Sequence, residues 1–156
     1  MRRFLESLFD PTLRYSADIR RINDLRGELS RLNDDSLRVQ AKRTTELLPL
    51  IAMTAVVASR VLGQDMFDVQ LRGSLALTRG CVAEMQTGEG KTLAAVPAVA
   101  WYARQGKGVH VMTVNDYLAR RDAVWMGEIY RWLGLSVAHV QQGMTIEERK
   151  AAYASD

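Results

Sequence analysis

The run Thr87-Gly88-Glu89-Gly90-Lys91-Thr92 constrains this 156-residue chain more than any other stretch. Two glycines one residue apart let a backbone turn so that several N–H groups face one point. A lysine and a threonine follow at once, a mobile cation and a hydroxyl. Upstream, Cys81 to Met85 is compact and apolar and reads as a buried strand, while Lys91 to Gln105 has the composition of a helix. Strand, glycine loop and helix in that order place a helix N-terminus, with its positive dipole end, at the loop. The chemistry that fits is a nucleoside triphosphate: Lys91 reaching its β- and γ-phosphates and Thr92 ligating Mg²⁺. Gly88, Glu89, Gly90, Lys91 and Thr92 are therefore predicted to hold ATP or ADP with Mg²⁺, Thr92 as the metal ligand, and no residue of the chain is assigned a catalytic role.

Two details narrow the choice among nucleotide loops. A dinucleotide loop, G-x-G-x-x-G, would require glycine where Leu93 stands. The full G-x-x-x-x-G-K-[ST] pattern asks for glycine at position 85, where this chain has Met85; the variant keeping only Gly-x-Gly-Lys-Thr resembles helicase-type motor ATPases. Some twenty residues upstream lies Phe67-Asp68-Val69-Gln70. A glutamine amide donates and accepts in one plane, so Gln70 can pair with the N6 and N7 edge of adenine.

Along the chain, two textures alternate. Ile19, Ile22, Leu25, Leu29 and Leu32 recur at steps of three and four, which predicts an amphipathic helix. Asn33-Asp34-Asp35-Ser36 offers N-cap oxygens for a second helix running to about Thr45. Pro49 opens an apolar helix that Gly63 ends. Beyond it, Cys81–Met85, Val109–Val114 and Ser136–Val140 read as buried strands. Helices are predicted over 91–105 and 115–133, and a last one behind the capping box Thr145-Ile146-Glu147-Glu148. The expected fold is α/β: a helical segment over 1–63, then over 64–156 the first part of a RecA-like P-loop motor domain, a parallel sheet with crossover helices.

Composition excludes several classes. With 47% apolar and 25% charged residues the chain is neither disordered nor of low complexity. Cys81 is the only cysteine, so no internal disulfide forms, a reducing cytoplasm is the natural compartment, and Cys81 reads as a small buried hydrophobe. The longest apolar stretch, Leu47 to Ala58, is shorter than the ~20 residues that span a bilayer and reads as a core helix. Glu6 and Asp10 interrupt any secretory signal behind Arg2 and Arg3. The net charge of +3 is small and mixed, as in Arg20, Arg21, Asp24, Arg26 and Glu28, a pattern that argues against nucleic acid as a partner. Trp101, Trp125 and Trp132 read as packing residues, and neither His110 nor His139 as catalytic.

Beyond composition and spacing, four stretches closely resemble the amino-terminal part of the SecA family of preprotein translocase motor ATPases. They are Phe9-Asp-Pro, Phe67-Asp-Val-Gln-Leu, Ala83-Glu-Met-Gln-Thr-Gly-Glu-Gly-Lys-Thr-Leu and the run from Gly106 to Asp122. The last distinguishes that family from the nucleic-acid helicases that share only the phosphate loop. The resemblance covers nearly the whole chain, although the stretch between Thr45 and Met53 reads as shorter than the family's. It implies an ATP-driven motor pushing unfolded preproteins through the SecY channel, cytoplasmic and peripheral on the inner face of the bacterial plasma membrane. It further implies that Gln70 contacts adenine. In the family an acidic strand end, a preprotein-clamping domain and a second motor domain follow, and none lies within residues 1–156, so the expectation for these residues alone is ATP binding with hardly any hydrolysis.

Two other readings remain at this stage, a nucleic-acid-dependent helicase-like ATPase and a non-catalytic nucleotide-binding adaptor. At the amino terminus Phe4, Leu5, Leu8 and Phe9 fall on one helical face beside Arg2 and Arg3. That face suits an anionic membrane surface, weakly, or packing against a second copy of the chain.

Overall fold

The computed structural model describes residues 15–156, so the expectations for residues 1–9 lie outside the described residues. The described chain is mostly helical. Helix α1, Ser16–Leu29, buries Ile19, Ile22 and Leu29 and turns Arg20 and Arg21 outward, as its three-and-four spacing requires. Asn33 Oδ1 accepts the Ser36 N–H at 2.9 Å and so opens α2, Asp34–Arg43. Helix α3, Leu47–Leu62, carries Pro49 in its first turn, where the missing N–H has no intrahelical partner to lose. Gly63 closes it in the left-handed conformation, φ 65°.

Every residue from Leu50 to Ala58 is buried, which makes α3 the centre of the molecule. It packs against α1 on one side and against α5 (Lys91–Ala103) and α7 (Gly127–Trp132) on others. Burying each of Leu50, Ile51 and Met53 is worth roughly 1.5–3 kcal/mol relative to exposure. Thr54, the only polar residue of this run, donates its hydroxyl to the Leu50 carbonyl at 2.8 Å and leaves no unpaired donor inside. The apolar stretch is thus a core helix, and among the described residues no helix is long and apolar enough to cross a membrane.

Helix α4, Asp68–Thr78, lies along α5. They approach at Gly73, where a Cβ would stand 3.1 Å from Met85 Sδ and 3.5 Å from Ala94 Cβ. Ser74 Oγ donates to the Ala94 carbonyl at 2.5 Å, so the closest crossing carries a hydrogen bond in a fully buried place.

The parallel sheet is where expectation and structure part. Cys81–Met85, Val109–Val114 and Ser136–Val140 are not strands, and no strand occurs among the described residues. The reason is visible in exposure: Val82 is 94% exposed, Met112 93% and Val114 90%. A parallel strand is stabilised by ladder bonds to both neighbours and by cover on both faces, and these segments have neither. Apolar, β-branched residues alone do not supply that cover. Other corrections are smaller. Cys81 is half-exposed rather than buried, and Trp125 is exposed, whereas Trp132 is half-buried beneath the Arg38 guanidinium, 4.7 Å from its ring centre. The helix expected over 115–133 divides into α6, Asp116–Trp125, and α7. At the division a Cβ on Gly127 would stand 3.0 Å from Val137 Cγ1, so the returning segment packs on the helix backbone.

Two polar devices tie distant segments. Arg104, just past α5, donates through Nη1 to the carbonyls of Ala41 (2.7 Å) and Thr44 (3.0 Å) and through Nη2 to that of Leu133 (3.3 Å). One side chain thus caps the carbonyl ends of both α2 and α7, and burial pulls its pKa below the ordinary arginine value. At the other end, Asp156 Oδ2 accepts from the Ser136 N–H (2.8 Å) and hydroxyl (2.7 Å), while its carbonyl accepts from Val109 N–H at 2.8 Å. The capping box forms as expected: Glu148 Oε2 accepts the Thr145 N–H at 2.7 Å, and Thr145 Oγ1 accepts the Glu148 N–H at 3.2 Å, opening α8, Ile146–Tyr153.

Arg104→Ala is expected to lower the free energy of unfolding by about 2–3 kcal/mol, because three carbonyls lose a charged donor. Urea denaturation measures this, and a loss below about 0.5 kcal/mol would remove Arg104 from the list of structural ties. A second expectation concerns acid. Hydrogen bonds hold both the Glu148 and Asp156 carboxyls below their ordinary values, chiefly from the backbone N–H of Thr145 and of Ser136 respectively. Groups with depressed folded values bind fewer protons folded than unfolded, so their contribution is complete above the unfolded carboxylate range, roughly pH 4, and is lost as pH falls through the folded values. The protection factors of the amides in α8 and at Ser136, taken relative to the intrinsic exchange rate at each pH, should therefore fall below that range. Unchanged protection there while the rest of the fold persists would contradict the assignment.

Candidate functional site

The glycine loop begins α5, as its sequence predicts, although the segment leading into it is extended chain rather than a strand. Gly88 has φ 91° and Gly90 φ 76°, conformations that L side chains rarely adopt. At Gly90 there is a second constraint, since a Cβ would collide with Gln70 Nε2. Gly90 is the N-cap of α5, and its carbonyl accepts the Ala94 N–H at 3.0 Å. Lys91 is the first helical residue and is exposed; Thr92 is the second and half-buried.

Charge at this helix start is unusual. Helices α1, α2, α4, α6, α7 and α8 all carry an acid in the first turn, where it complements the dipole. Helices α3 and α5 carry none, and α5 begins with Lys91. A cation against the positive end of the dipole is destabilising by itself and becomes favourable when an anion sits between them. That is a property of binding rather than of helix stability.

The structure brings Gln70 to this loop. It lies in the first turn of α4, 7% exposed. Its Oε1 accepts the Phe67 N–H at 3.0 Å and its Nε2 donates to the Glu89 carbonyl at 3.0 Å. A primary amide offers two donor hydrogens and two lone pairs, so one of each remains. The two internal bonds fix the plane of the amide.

Within the loop, the ends fold on each other. Lys91 Nζ donates to the Gln86 carbonyl at 2.7 Å, Glu89 Oε2 accepts the Gln86 N–H at 2.7 Å, and the Glu89 N–H donates to the Gln86 carbonyl at 3.3 Å. Sequence reasoning missed Gln86 as the pivot of these contacts, and also Ser74, whose bond to Ala94 holds α4 against α5. The adjacent small pair Gly73-Ser74, five and six residues after Asp68, was the available signal for a close helix crossing.

Do these residues fit a magnesium nucleotide? The positive-φ glycines 88 and 90, the Lys91 ammonium at the helix start, engaged here by the Gln86 carbonyl, and the Thr92 hydroxyl beside it are donor types that suit a phosphate and its counter-ion. Among the described residues no group of three or more His, Cys, Asp or Glu could hold a metal ion, so a cation here would depend on the phosphates and on Thr92.

Comparison with known proteins agrees with this geometry. Residues 4–156 match the family model of the SecA DEAD-like domain. The chain is 45% identical to the protein translocase subunit SecA of Carboxydothermus hydrogenoformans, with 100% of this chain and 20% of that protein covered. It is 48% identical to the same subunit of Thermus thermophilus (99% and 15% covered) and 46% identical to that of Bradyrhizobium diazoefficiens (99% and 18%). The chain thus spans between 15% and 20% of the length of these relatives. A glycine loop opening α5, a glutamine docked on it from α4 and a family match across nearly every residue lead to one statement: the chain belongs to the SecA family, within its DEAD-like domain.

Proposed function

We propose that this chain is the nucleotide-binding amino-terminal portion of a SecA-type translocase motor, which couples ATP hydrolysis to export of unfolded preproteins through the SecY channel. The observation that carries the reading is the placement of Gln70 against the loop that opens α5, through its bond to the Glu89 carbonyl. Adenine selectivity and phosphate binding then share one rigid corner. Gly88 and Gly90 shape the cradle, and Lys91 neutralises the β- and γ-phosphates. The Thr92 hydroxyl would hold Mg²⁺, which when bound screens phosphate charge. Gln70 keeps its two internal bonds and presents its remaining donor and acceptor to N7 and N6 of adenine.

The division at residue 63 follows the same logic. Among the described residues, 15–63 form the helical platform, and residues 64–156 carry the loop and its supports. Cys81–Met85, Val109–Val114 and Ser136–Val140, which form no strand among the described residues, would be the segments of a parallel motor-domain sheet where neighbouring strands cover them. The work of such a motor places it in the cytoplasm against the inner face of the plasma membrane, with SecY and the preprotein as partners and residues 1–9 as a weak contact with anionic lipid or a second copy.

Calorimetry with Mg-ADP and Mg-GDP tests the site. Lys91→Ala should weaken Mg-ADP binding by at least about tenfold, since a charged partner of the phosphates is lost. Gln70→Ala should narrow the preference for adenine over guanine by about five- to a hundredfold, the range for a bidentate base contact. Equal binding by the parent and Lys91→Ala would remove the loop assignment. Unchanged base preference in Gln70→Ala would remove the adenine role alone.

A further inference from the structure

The loop contains its own anion. Glu89 Oε2 accepts the Gln86 backbone N–H at 2.7 Å, the kind of bond that a phosphate oxygen makes in a glycine cradle. On the other side of the same residue, Lys91 Nζ donates to the Gln86 carbonyl at 2.7 Å, so the cation is engaged by the loop as well. Gln70 holds the Glu89 carbonyl from behind. The backbone of residue 89 is therefore pinned while its carboxylate holds the Gln86 N–H. One N–H and the one ammonium of this loop are occupied by protein groups, and both must be released before a phosphate can take them.

We propose that Glu89 is an internal competitor for phosphate, an autoinhibitory contact that holds the loop closed until a nucleotide displaces its carboxylate from Gln86 and Lys91 from the Gln86 carbonyl. This rests on the nucleotide reading of the site and adds a regulation to it. Two properties follow from the geometry. Weak anions such as inorganic phosphate are excluded, because a single phosphate replaces the bond from Gln86 without the further contacts that a diphosphate makes with the cradle. The bond from Gln70 Nε2 to the Glu89 carbonyl is a main-chain contact that release of the carboxylate leaves in place, so the loop opens without disturbing the amide proposed to read the base.

The experiment uses the full 156-residue chain, with Mg-ADP and inorganic phosphate as probes in calorimetry. Glu89→Ala removes the carboxylate. Glu89→Asp retains the charge and shortens the side chain by one methylene, which takes the carboxylate out of reach of the Gln86 N–H. Both variants should bind Mg-ADP about five- to tenfold more tightly than the parent, the equivalent of one charge-assisted hydrogen bond no longer opposing the ligand. In the absence of nucleotide, exchange of the Gln86 amide should be faster in both. No gain in Glu89→Ala would overturn the proposal. A gain in Glu89→Ala with parental affinity in Glu89→Asp would overturn it too, by showing that charge near the phosphates acts without the contact. Gln86 exchange unchanged in both variants would remove the hydrogen bond on which it depends. If instead the parent and Lys91→Ala bind Mg-ADP alike, the nucleotide site itself has been misassigned, and that failure is separate from the three above.

Discussion

The close crossing of α4 and α5 is the constraint on which the site depends. At Gly73 the helices meet closely, so that a Cβ would press on Met85 Sδ at 3.1 Å and touch Ala94 Cβ at 3.5 Å, and the buried Ser74 hydroxyl bonds the Ala94 carbonyl. That crossing sets where the first turn of α4 meets the loop before α5. Gln70, one turn above Ser74, then reaches the Glu89 carbonyl, and Gly90 has to lack a Cβ because Gln70 occupies its space. Gln70, Gly73, Ser74 and Gly90 together fix the cradle, and none of them is Lys91 or Thr92.

Behind this pair stands α3, whose buried run from Leu50 to Ala58 gives α1, α5 and α7 a common surface. Helix α5 links the two levels. It begins at the loop with Lys91 and ends against Arg104, which holds carbonyls from α2 and α7. The phosphate loop and the helical amino-terminal half are thus the two ends of one thirteen-residue helix.

What could be read in the residues, and what could not, divides along physical lines. The helices around Ile19, Asn33, Pro49, Lys91 and Thr145 were legible because their signals are local: a stripe at helical spacing, a capping oxygen, a proline in the first turn. The glycine turn that opens α5 was legible because glycines at positions 88 and 90 just before Lys91 mark a turn and a helix start. Strand formation was not, because a ladder depends on neighbours far along the chain; Val82 and Met112 have strand-like surroundings in sequence and open solvent around them in space. Gln70 was singled out for adenine, but its two bonds within the protein are tertiary and invisible to spacing. The same holds for Gln86 and Arg104, ordinary residues in the sequence that become pivots only when distant carbonyls or a lysine arrive beside them.

The central claim is that the base-reading amide and the phosphate cradle form one unit through Gln70 and Glu89. Hydrogen–deuterium exchange of the 156-residue chain with and without Mg-ADP tests it most directly. The account predicts that protection on binding appears together at residues 67–71 and 86–94, on either side of the α4–α5 crossing, and that Gln70→Ala uncouples them. Protection of the loop with residues 67–71 unchanged, or protection centred on residues 109–117 instead, would contradict it.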